Sequence, residues 1–106
     1  MKRNTGQLKE QLIQTGIAEI GKHGIEQLSL RTVAKACGVT HGSPYRHFES
    51  KEGYLKVVLA RLSLFLNQEI NENIDATGSA RNQLTQLGLN FIIFAKTYPH
   101  FFEALF

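Results

Sequence analysis

The chain has 106 residues, 42% of them hydrophobic and 20% charged, with a formal net charge of +3. That length allows one domain with a modest core, and no apolar run approaches the ~20 residues needed to cross a bilayer. No secretory signal opens the chain, and the only cysteine, Cys37, rules out an internal disulfide or a multi-cysteine metal site and fits an intracellular, cytoplasmic protein. The charge is unevenly placed. Residues 1–51 hold eight Lys/Arg against four Glu, whereas residues 52–106 hold four against five acids. A basic first half is the electrostatic footprint of a nucleic-acid contact, although many solvated surfaces share it.

Taken in order, Met1 to Gly6 has no apolar residue after the initiator and reads as a mobile tail, in which Lys2 and Arg3 could reach a phosphate or a minor groove. From Gln7, the residues Leu8, Leu12, Ile13, Ile17 and Ile20 follow the helical period and predict an amphipathic helix ending near His23, with Gly24 as its left-handed stop. Ser29 is a good N-cap for a second helix whose apolar face is Leu30, Val33, Ala34 and Cys37, and Gly38 ends it. Thr40 can cap a third helix running to His47. That helix is nearly free of aliphatic side chains until Phe48, so it has little to bury and is predicted to work on its outer face. Small hydroxyls, a phenol, an arginine and two histidines suit the grooves and phosphates of DNA, which makes this pair a helix-turn-helix with Thr40 to His47 as recognition helix.

Ser50 then caps a fourth helix, with Glu52 in the first turn where the helix dipole favours negative charge. Tyr54, Leu55, Val58, Leu59, Leu62, Leu66 and Ile70 carry its period to about Ile74, which predicts a connecting helix of roughly 24 residues, about 36 Å long. Residues 75–79 are a turn, and Ser79 caps a fifth helix with Leu84, Leu87, Phe91, Phe94 and Ala95 on one side, ending near Tyr98. Pro99 opens a further helical segment, and no strand is needed anywhere. The predicted fold is all-α, with a helix-turn-helix domain over 1–50 and a connecting helix plus helical regulatory segment over 51–106.

The sequence around Lys22-His23-Gly24, Ser29-Leu30-Arg31-Thr32-Val33-Ala34, Gly38-Val39-Thr40, Tyr45-Arg46-His47-Phe48 and Ser50-Lys51-Glu52 resembles the TetR family of bacterial transcriptional regulators over about residues 7–60. The remainder resembles the first helices of that family's ligand-binding domain more loosely. The resemblance implies a repressor that releases a palindromic operator when a small-molecule effector binds, and that works as a homodimer. It also implies DNA contacts from Thr40, His41, Gly42, Ser43, Tyr45, Arg46, His47 and Lys51, with Arg31 and Thr32 as a second rank. Independent physical reasons agree. Gly42 permits close approach of backbone, Thr40, Ser43 and Tyr45 can donate to phosphate, and Lys51 lies at a helix N-terminus that favours an anion. The bland alternative is that Tyr45 and His47 pack under the head, and that the fold serves as a helical protein-interaction module without DNA.

Two departures from the family carry expectations. Pro44 falls fourth in the predicted recognition helix, so it should forfeit a hydrogen bond and bend the first turn. Members are commonly near twice this length, so the chain reads as a fragment, and residues 79–106 are expected to expose a large apolar patch that frays or pairs with another copy. Nothing points to an enzyme, a cofactor or a metal. Ser43 and His47 have no accompanying acid, and His41 and His47, six apart, do not share a helical face.

Overall fold

The chain forms six helices in the computed structural model, which describes residues 5–106, with leucine and isoleucine at helical spacing in the long ones. They are α1 (Thr5–His23), α2 (Leu30–Ala36), α3 (Ser43–Phe48), α4 (Lys51–Ile70), α5 (Ala80–Thr97) and α6 (Pro99–Leu105), with a single 3-10 turn at Ile25–Gln27. No strand occurs among the described residues. Of the tail expected over Met1 to Gly6, residues 1–4 with Lys2 and Arg3 lie outside the described residues, whereas Thr5 and Gly6 are not tail but the first residues of α1.

The helix ends follow local chemistry. The hydroxyls of Ser29, Ser50 and Ser79 accept the N–H groups of Thr32, Gly53 and Asn82 at 3.3, 3.0 and 3.1 Å, the caps expected of them. Gly24 and Gly38 take φ of 87° and 72°, a region closed to most residues with a Cβ. At Gly38 the N–H groups of Gly38 and Val39 return to the carbonyls of Lys35 and Ala34 at 3.1 and 3.0 Å, closing α2 with a Schellman motif.

Two predicted boundaries are corrected. The third helix begins at Ser43, not at a Thr40 cap; Thr40 instead accepts the Ser43 N–H at 3.0 Å in a preceding turn. Pro44 explains the shift. A proline has no N–H, and starting at Ser43 puts it in the first turn, where that N–H would have no intrahelical partner anyway. No bond is forfeited there, so the expected bend has no basis. The fourth helix stops at Ile70, not near Ile74. The Asn71 amide donates to the Asn67 carbonyl at 2.7 Å, Asn73 turns to φ 61°, and the Asn90 amide from α5 donates to the carbonyls of Ile70 and Glu72 at 2.9 and 3.0 Å. Competing side-chain bonds of this kind are why asparagine ends helices.

One core runs through Leu12, Ile13 and Ile20 of α1, Leu28, Leu30 and Val33, Phe48, and Tyr54, Val58 and Leu62 of α4. The first three turns of α4 therefore complete the head, and packing crosses the boundary drawn at residue 50. Phe101, Ala104 and Leu105 of α6 pack on the same core from its other end. The molecule is elongated, 52 × 26 × 22 Å, with α5 laid along the far half of α4. There Phe65 meets Phe94, Tyr98 and Phe101 with ring centroids 5.9, 5.1 and 6.1 Å apart.

Candidate nucleic-acid interface

The turn-and-helix unit from Thr40 to Lys51 is held from below. Pro44 and Phe48 of α3 are buried, and the Phe48 ring meets the Tyr54 ring edge-on at 5.0 Å. Lys9 of α1 places its Nζ 5.8 Å from the centre of the Phe48 ring, a cation–π contact from a third element. Tyr54 in turn donates its hydroxyl to the Leu12 carbonyl at 2.6 Å. Burial pushes the Tyr54 phenol well above its ordinary range, with the neighbouring Cys37 adding to it, so the hydroxyl stays a donor. A methyl on Gly16 would stand 2.0 Å from that hydroxyl, so glycine in mid-α1 is what lets α4 approach. The carboxylate of Glu10 in α1 accepts both terminal nitrogens of Arg61 in α4, one of them at 3.2 Å, and the amide of Gln14 at 3.0 Å. That pairing holds the Glu10 carboxyl below its ordinary range.

Above this support, Thr40, His41 and Gly42 are exposed in the turn, Tyr45 is 48% exposed and Arg46 is exposed on α3, and Lys51 is exposed at the start of α4. Arg31 and Thr32 are exposed in the first turn of α2. His47 is half-buried, its ring 6.1 Å from that of Phe48, so it shares its surface between packing and solvent. Ser43 is the one candidate turned inward, at 8% exposure. The face thus gathers hydroxyl, imidazole, phenol and guanidinium donors, and Lys51 adds an ammonium. Among the described residues of this face, from Thr40 to Lys51, no carboxylate ion-pairs with any of these cations. Cys37 faces inward as its spacing implied, with Sγ 3.2 Å from Thr15 Oγ1. No group of three or more potential metal ligands occurs among the described residues.

Sequence reasoning missed Gly16, Lys9 and the Glu10–Arg61 bridge. A signal existed only for the first: a glycine inside an apolar helical stripe, which weakens the helix unless something must come close.

The family model of the bacterial regulatory proteins, tetR family, matches residues 12–58, the span from the middle of α1 into α4. Over that span the chain is similar to the TetR family. It is 42% identical over 43 residues to the probable acrEF/envCD operon repressor of Escherichia coli K12, covering 41% of this chain and 20% of that protein. Over 101 residues it is 26% identical to the HTH-type transcriptional regulator TtgR of Pseudomonas putida, covering 91% of this chain and 48% of the relative. The HTH-type transcriptional repressor KstR2 of Mycolicibacterium smegmatis is 28% identical over 79 residues, which are 74% of this chain and 38% of that one. The chain thus spans less than half the length of each. A TetR-family transcriptional regulator from Haemophilus influenzae shares the fold, with a TM-score of 0.64 and 23% identity over 93% of this chain and 54% of that one.

Proposed function

We propose that this chain is the DNA-binding part of a transcriptional regulator, a cytoplasmic repressor that acts as a homodimer on a palindromic operator. One observation carries the reading: an exposed, acid-free donor face from Thr40 to Arg46, with Lys51 beside it, mounted on a TetR-like head. The named functions of the relatives, repressors among them, support it. In this reading α3 and the preceding turn enter the major groove, with Thr40, His41, Gly42, Tyr45, Arg46 and His47 at base edges and phosphates. Ser43 stiffens that surface from within, and Arg31, Thr32 and Lys51 grip the backbone on either side. A small-molecule effector acts by shifting α4, since Tyr54 and Arg61 tie α4 to α1 and hence to the reading face.

Titration of a labelled duplex at several salt concentrations tests the proposal. Affinity should fall steeply with salt because phosphate contacts release counterions. Lys51→Ala should weaken binding to all duplexes about equally and lower the salt slope by about one. Binding that ignores salt would instead indicate a helical protein-interaction module.

A further inference from the structure

Lys9 is exposed near the start of α1 and sets its ammonium over the Phe48 ring, with Nζ 5.8 Å from the centroid. That ring closes α3, and Lys51 opens α4 three residues later. The seat is tightly built. The Ser50 N–H returns to the Phe48 carbonyl at 2.7 Å across Glu49, whose φ is 66°, and a methyl on Gly53 would strike that carbonyl. The Tyr54 ring meets the Phe48 ring edge-on at 5.0 Å. The Lys9 ammonium is therefore held beside the turn from α3 into α4.

Its charge has no partner of opposite sign there. Among the described residues no carboxylate pairs with Lys9. Glu10, next to it in sequence, accepts from Arg61 and Gln14, while Glu49 and Glu52, both exposed, form no ion pair. A ring face attracts a cation but accepts no strong hydrogen bond, so the ammonium keeps its donors for water or an anion. The ring already restricts the side chain, so gripping an anion from that seat loses less rotamer freedom than it would for a free lysine. Each strand of duplex DNA presents a phosphate every ~3.4 Å along the axis, so a cation beside the start of α4 has one within reach whenever Lys51 does.

We infer that Lys9 grips the DNA backbone alongside Lys51, which extends the interface from α2, α3 and α4 onto α1. This rests on the DNA reading proposed above. Because a phosphate carries no base identity, Lys9 adds affinity without sequence preference.

Salt titrations of the whole chain on a panel of unrelated duplexes test this with three variants. Lys9→Met keeps an apolar stem against the ring. It should weaken every duplex roughly three- to tenfold near 0.1 M salt and lower the salt slope by about one. Lys9→Arg should restore the slope. Lys22→Met removes the same charge from the opposite end of α1 and should leave the slope unchanged. Wild-type binding that ignores salt overturns the DNA reading and this inference with it. A salt-dependent wild type with an unchanged slope in Lys9→Met overturns this inference alone. Affinity lost at constant slope, with no recovery in Lys9→Arg, would make Lys9 a packing residue only. A reordered panel would make it a reader of bases, and an equal fall in Lys22→Met would reduce the effect to overall charge. Each of these three results overturns the inference as well.

Discussion

Gly42 is a glycine that the fold does not require. Its φ is −79°, ordinary for any residue, and a methyl there would meet nothing within 4 Å. Gly42→Ala should therefore raise the stability of the chain by about 0.5 kcal/mol, through a less flexible unfolded state. If the exposed turn lies against DNA, the same methyl should lower duplex affinity about tenfold, about 1.4 kcal/mol. Denaturation and duplex titration on one preparation separate the two effects, and unchanged affinity would remove Gly42 from the interface. Gly16 is the opposite case, required by its neighbour. Tyr54→Phe should cost about 1 kcal/mol by leaving the Leu12 carbonyl short of a donor. Gly16→Ala should cost about 2–3 kcal/mol through the clash with the phenol. Combined, they should cost less than their sum, because removing the hydroxyl removes part of the clash. Strict additivity in urea denaturation would show that the two residues do not meet.

At the scale of elements, α3 shows how a rule about one residue type depends on where the helix starts. Read from a Thr40 cap, Pro44 looks like a defect whose replacement by alanine should restore a bond. Starting at Ser43, the helix loses nothing to proline, and the buried ring instead fills space beneath the exposed donor face. Pro44→Ala should consequently destabilise the chain by about 1–2 kcal/mol through lost packing and a freer unfolded state. A rise in the urea midpoint would restore the earlier expectation. The end of α4 teaches the same lesson from the other side. Ile74 lies four residues beyond Ile70, which continues the apolar period, but periodicity does not register that Asn71 and Asn90 compete for the backbone carbonyls.

For the whole molecule, the uncovered surface lies on α5. Leu84 is 70% exposed, Ile92 56% and Ile93 59%, with Phe106 at 71% beyond α6, so the patch expected over residues 79–106 is present. Helices α5 and α6 are formed, and α6 is docked on α1. In isolation this chain should bind a hydrophobic-surface dye and sediment faster as its concentration rises, and Leu84→Lys with Ile92→Glu should suppress both. A dye-silent monomer at every concentration would contradict this. Which parts were legible beforehand follows from the range of the forces involved. Periodicity, serine caps and left-handed glycines act within one helical turn, so the residues alone determine the helices, their order and the inward face of Cys37, but not that Thr40 to Gly42 form a turn ahead of the third helix. Ser43 turning inward, Tyr54 reaching Leu12 across Gly16, Glu10 clasping Arg61 and Phe101 closing on α1 were settled only by tertiary structure. Those contacts join residues 42 or more apart in the chain, and no local pattern encodes which helix faces meet until the core closes.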